Sequence, residues 1–144
     1  MKESRIRKLA AFGPVPLRLF AGMFLVYLAQ GHIVDPARMI DFERFLTKYG
    51  FPLPALAAPL SVYADLLAGL CFLLGLWVRP AAAVMVVNFM VAIVGVHLRM
   101  PFRDALEPSA MLASACALLL LGPGALSLEH AWLRRRGRRS PTAP

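Results

Sequence analysis

Four apolar stretches, each close to the roughly 20 residues an α-helix needs to cross about 30 Å of hydrocarbon, constrain this chain more than any other feature. They run approximately over Val15–Val34, Ala55–Val78, Ala81–His97 and Ser109–Leu126. A segment inside a bilayer must satisfy its own backbone hydrogen bonds, so the expected fold is all-α: an integral membrane four-helix bundle. Prolines mark its joints. Pro14 and Pro16, Pro52 and Pro54, Pro80, Pro101, Pro108 and Pro123 fall at or beside the expected span ends, where a missing N–H is tolerated or a helix is stopped. Charged residues are only 17% of the chain, against about 25% in soluble globular domains. That depletion argues against a disordered segment and against a small soluble enzyme.

The net charge of +8 does not point to nucleic acid, because the cations gather at the two ends of the sequence. Lys2, Arg5, Arg7 and Lys8 precede the first span, and Arg134, Arg135, Arg136, Arg138 and Arg139 lie in a basic tail over 127–144. Basic blocks beside apolar runs are orientation signals, with anionic headgroups as their partners. The amino-terminal cluster, Arg18, Arg79 and the tail share one side. Arg38, Arg44, Lys48, Arg99 and Arg103 share the other, with acidic residues beside them. Both termini are therefore expected in the cytoplasm, with Trp77 and Trp132 at the cytoplasmic interface. The basic start and Ala29-Gln30-Gly31 loosely resemble a secretory signal and its cleavage site. Arg18 interrupts the apolar run, and the run exceeds the usual length of such a signal, so the first span is expected to be retained.

The longest connection, Asp35 to Pro54, places Met39, Phe42, Leu46 and Tyr49 on one helical face and Asp41, Arg44 and Lys48 on another. A short amphipathic helix on the outer membrane surface is expected between spans one and two. Cys71 and Cys116 lie inside apolar runs without ligand spacing, and both are expected to be buried small apolar residues.

Within hydrocarbon the polar residues carry the information, since a charge near the bilayer centre costs about 2.5–3.5 kcal/mol on the lenient insertion scale. Asp65 is the sharpest case. From Ala55 to Asp65 at about 1.5 Å per residue, the carboxyl lies roughly 15 Å deep. Ala64, Ala68 and Gly69 beside it let another helix approach, and Asn88 on span three has a comparable depth from which to hydrogen-bond it. Arg18, Gly22, Leu25, Ala29 and His32 share one face of span one. Asn88, Ala92, Gly95 and Arg99 share a face of span three, whereas His97 points elsewhere.

Two readings follow. Asp65, Asn88 and Arg18 line a polar pocket for a proton or a quinone head, or Asp65 is a protonated or paired structural residue and Arg18 snorkels to headgroups. His32 and His97 lie near the outer interface as quinone-head partners or simple interface residues; two histidines without a third ligand define no metal site. His130 beside Glu129 and Trp132 is a solvated interface residue.

The segment Leu17-Arg18-Leu19, the run Tyr63-Ala64-Asp65-Leu66-Leu67-Ala68-Gly69-Leu70 and Leu74-Gly75-Leu76-Trp77-Val78-Arg79-Pro80 together resemble the DoxX family. Asn88-Phe89-Met90-Val91-Ala92 and the ending Gly122-Pro123-Gly124-Ala125-Leu126-Ser127 fit the same pattern, from about Leu17 to Glu129. The resemblance implies a small four-helix inner-membrane protein related to the membrane subunit of thiosulfate–quinone oxidoreductase. It also implies glutamate as the commoner acid at the position of Asp65, and a lysine shortly after glycine where this chain has Gly31-His32-Ile33.

The expected function is an accessory or quinone-interacting component of a membrane redox or oxidative-stress system. Asp65 would accept a proton, Asn88 would orient the head, and Arg18 or His32 would hold a carbonyl oxygen. The chain carries no haem, iron–sulfur or flavin fingerprint, so electrons would come from a soluble or membrane redox partner, and stand-alone catalysis is not expected. The alternatives are a non-catalytic scaffold that docks a partner, and a small-solute or proton transporter, which would require a homo-oligomer.

Overall fold

A computed structural model describes residues 12–124 and 127–128, with the backbone alone at His97. The described residues form five α-helices, α1 (Pro14–Val34), α2 (Pro36–Lys48), α3 (Pro54–Leu74), α4 (Val78–Gly95) and α5 (Phe102–Leu121), with a 3₁₀ turn over His97–Arg99. All but α2 are long and apolar enough to cross a membrane. The basic terminal clusters, His130 and Trp132 lie outside the described residues.

Local chemistry sets the helix ends. Asp35 is extended and closes α1 while opening α2: its Oδ1 accepts the Ala37 N–H at 3.0 Å, and Pro36 takes the first helical position. Gly75 ends α3 in the left-handed region at φ 67°, and its N–H returns to the Cys71 carbonyl. Trp77 is left-handed as well (φ 48°), and α4 begins at Val78. The second span therefore stops short of Val78 and the third starts before Ala81. Pro80, taken from the sequence as a boundary, sits in the first turn of α4, where its missing N–H has no helical partner to lose.

The last span departs most from expectation. It runs over Phe102–Leu121 instead of Ser109–Leu126, and Pro108 is a buried interior residue of the helix. Arg103, Asp104 and Glu107 occupy its first two turns on exposed positions, and a charged opening to an apolar helix resembles a loop by hydropathy. Gly122, at φ 75°, ends it.

The spanning helices form a ring in the order α1, α3, α4, α5, closed by contacts between α1 and α5. Ala21 and Leu25, Ala68 and Phe72, Val78, Ala82 and Met85, and Met111, Ala115 and Leu118 fill its centre. Leu56, Leu60, Leu67, Val87 and Leu120 point outward and are exposed. Because lipid is as apolar as leucine, such helices are held by close packing more than by burial. The closest packing joins α1 to α3: a Cβ on Gly69 would lie 3.0 Å from the Gly22 carbonyl oxygen and 2.9 Å from Val26 Cγ2.

α2 closes one end of the ring. Leu46 packs with Ala58 and Val96, and Met39, Phe42, Phe45 and Tyr49 gather around them. The apolar face of this helix is thus turned onto the bundle, while Asp41, Arg44 and Lys48 are exposed.

The glycine contact gives a direct test. Gly69→Val should cost about 1–3 kcal/mol through forced backbone separation, seen as a lower melting temperature in detergent. Gly31→Ala, whose Cβ meets only the flexible end of Arg38, should melt like the parent. Equal behaviour of the two variants would refute the role assigned to the α1–α3 contact.

Candidate functional site

The polar side chains of the spanning helices fall into separate layers. In the middle, Ser61 and Asp65 stand one turn apart on α3 and face Asn88 of α4. The Ser61 hydroxyl donates to Asn88 Oδ1 at 3.1 Å, and Asn88 Nδ2 donates to Asp65 Oδ1 at 3.0 Å. The amide is oriented by both neighbours: its carbonyl faces a hydroxyl and its NH₂ faces a carboxyl. All three residues are half-buried.

This chain borders an apolar groove along the α3–α4 face. One section, about 400 Å³, includes Phe45, Ser61, Asn88 and Val91 in its lining, and Asp65 is reached from it through Asn88. The next, about 490 Å³, extends past Tyr63, Leu67 and Cys71 to Trp77. Leu60, Ala64 and Val84 line both sections. The groove is an open furrow toward the surrounding medium with few polar atoms, most of them in the section that holds Ser61 and Asn88.

Arg18 belongs to a different layer. It is 3% exposed, so it does not snorkel to headgroups. Its Nη1 donates to the Pro123 carbonyl at 2.5 Å, and its guanidinium packs on Gly75, where a Cβ would lie 2.6 Å from Nη1. Ser127, also buried, backs the same glycine, and the Arg79 guanidinium lies over Gly122. The Leu-Arg-Leu, Leu-Gly-Leu-x-x-Arg and Gly-Pro-Gly-x-x-Ser segments therefore meet at one point. From Asp65 to Gly75 is roughly 15 Å along α3 at about 1.5 Å per residue, so a single pocket lined by Arg18, Asp65 and Asn88 is not formed.

His32 lies at the opposite end. Its Nδ1 is 3.0 Å from the Leu28 carbonyl, one turn earlier, and its ring packs on Phe42 with centroids 5.4 Å apart. It is not joined to Asn88 or Asp65. The backbone of His97 is in the 3₁₀ turn after α4. Cys71 and Cys116 are free thiols and half-buried, more open than the sequence implied. Among the described residues, no three His, Cys, Asp or Glu side chains group as metal ligands.

Sequence reasoning missed Ser61 and the acceptor role of Pro123. The first was accessible from helical spacing, since Ser61 precedes Asp65 by four residues. The second required knowing where the chain turns after α5.

These features define a small polytopic helical membrane protein with a hydrogen-bonded acid in its middle and a buried arginine at one end. The DoxX family model matches residues 13–98, which include α1 to α4. Inner membrane protein YphA of Escherichia coli (strain K12) is 31% identical over 105 residues, covering 65% of this chain and 75% of that protein. No solved structure matches. The chain belongs to the DoxX family and is a multi-pass inner-membrane protein.

The buried arginine is testable by a double-variant cycle. Arg18→Gln and Gly75→Ala should each cost about 1–3 kcal/mol, the first by losing a charge-assisted bond and the second by strain and collision. Together they should cost less than their sum, because the shorter glutamine vacates the space the new methyl needs. Strict additivity in detergent melts would break the assigned link between the two residues.

Proposed function

We propose that this protein is an accessory component of a membrane redox system that holds a quinone-type molecule in the α3–α4 groove. The single observation that carries the reading is the mid-helix Ser61–Asn88–Asp65 chain, whose Ser61 and Asn88 lie on the wall of a long apolar furrow with Asp65 behind Asn88. Intramembrane ionisable groups are costly and mark functional sites by default. A quinone suits such a place because its ring oxygens need hydrogen bonds and its isoprenoid tail needs an apolar track. The section from Leu60 to Trp77 supplies the track.

In this reading Ser61 and Asn88 meet the head, and Asp65 accepts a proton when a quinol is oxidised. The second proton and the two electrons of that oxidation pass to a partner protein, and the reverse step, quinone reduction, draws them from it, since the sequence carries no redox-centre motif. Arg18 serves the architecture and not the head. Both termini face the cytoplasm, and α2 covers the opposite end of the bundle at the outer surface.

Mass spectrometry of the organic extract from protein purified in mild detergent tests the site. The parent should retain a quinone, and Asp65→Asn and Asn88→Leu, inserted at parental levels, should lose most of it. Phospholipid alone in every sample would defeat the reading and favour a scaffold that docks a partner. Orientation has its own measurement: alkaline phosphatase fused after Pro144 should be inactive and a fluorescent protein at the same place bright, with the reverse pattern placing the tail outside.

A further inference from the structure

We infer that the end of the bundle opposite Arg18 carries a binding site for an anionic phospholipid, with the headgroup at Arg99 and Lys48 and one acyl chain in a groove beside α4. The groove adjoins the furrow bearing Ser61 and Asn88, sharing Phe51 and Val91 with it, but contains neither Ser61 nor Asn88. It encloses about 480 Å³ between the segment Gly50–Phe51–Pro52 and the residues Met90, Val94 and Gly95 of α4, with Arg99 at its rim.

Its construction is specific. Phe51 lies flush on α4 because residue 95 is glycine; a Cβ there would come within 2.8 Å of the Phe51 ring. Arg99 is anchored, its Nη1 donating to the Tyr49 carbonyl at 2.6 Å where α2 ends. That bond uses one of the five N–H donors of a guanidinium. Lys48 stands over the ring of the same tyrosine, 5.7 Å from its centroid, so the carbonyl and the ring of Tyr49 each hold one cation, and Arg99 is the one that lines the groove.

Charge complementarity names the occupant. Among the described residues the ion pairs are Arg38–Asp35 and Arg44–Asp41, and neither Lys48 nor Arg99 has a carboxylate within pairing distance. The neighbouring cations of α2 are neutralised on their own helix; these two are not. Below them the wall is hydrocarbon: Met90, Val91 and Val94 are exposed. The helical part of this wall, from Gly95 to Met90, is roughly 8 Å long at about 1.5 Å per residue, about half of one leaflet of an approximately 30 Å hydrocarbon core. A cationic rim at Arg99, with Lys48 on the neighbouring tyrosine, above an apolar track fits a phosphodiester head with the upper part of a fatty chain beneath it.

Native mass spectrometry of the full chain in mild detergent tests the site, titrated with palmitoyl-oleoyl phosphatidylglycerol and, separately, with the phosphatidylcholine of the same chains. The parent should bind one phosphatidylglycerol in preference to phosphatidylcholine, and Arg99→Gln should weaken it about fivefold, the effect of one partly exposed charge-assisted contact. Arg44→Gln, the same charge change on a cation already paired with Asp41, should leave binding unchanged. Val94→Trp, which fills the groove, should remove the adduct while circular dichroism stays parental. Lys48→Gln carries the headgroup test if Arg99→Gln fails to fold. Excess inorganic phosphate should not displace the lipid. Equal binding of the two lipids, an equal loss in Arg44→Gln, unchanged binding in Val94→Trp, or displacement by phosphate would each overturn the assignment.

Discussion

A polar side chain inside hydrocarbon has no water to turn to, and the architecture of this protein follows from how it meets that requirement. Asp65 receives the Asn88 amide, and Asn88 receives the Ser61 hydroxyl. The pair of bonds joins α3 to α4, neighbours in the helix ring. Arg18 does the same at one end, where its bond to Pro123 ties the start of α1 to the turn after α5. Between apolar helices in lipid, where sliding changes little buried area, such contacts and the Gly22–Gly69 approach are what select one register.

The two polar layers need different neighbours. At Arg18 the guanidinium requires space, so Gly75 lacks a side chain and adopts a conformation that also ends α3. The same glycine thus caps a helix and admits a cation, and the chain turns over Arg18 and Arg79 through Gly122 and Pro123. Cations at the carbonyl end of α5 are favoured by its dipole. At Asp65 the need is a donor within reach of a short carboxyl, and Asn88 supplies it from the adjacent helix.

Much of this was legible in the residues. Hydropathy located four spans because the apolar runs are long, and Asp65 and Asn88 stood out because polar groups at such depth are few. Helix ends were less legible: Pro80 and Pro108 look like boundaries in a string, yet the first occupies an opening turn and the second an interior position. Arg18 was ambiguous for a related reason. Snorkelling and inward burial share one sequence, and the decision lies with the segment after α5, far along the chain. Periodicity within α2 revealed an apolar face but not that Ala58 and Val96 would receive it.

The arrangement also bears on what passes through the bundle. A transport path in one copy would need to connect Asp65 with the polar layer at Arg18, and the interior between them is filled by Ala68, Phe72, Val78 and Ala82. Phe72 and Val78 are almost wholly buried, and water gains nothing by replacing such contacts. The polar groups of the middle layer meet the lateral furrow instead, through Ser61 and Asn88. Access from the side suits a molecule already dissolved in the membrane, which reaches the hydrogen-bonding groups without crossing the bundle and without a water-filled passage. On the function proposed above, the furrow's occupant is an amphiphile drawn from the bilayer and not a solute carried across it.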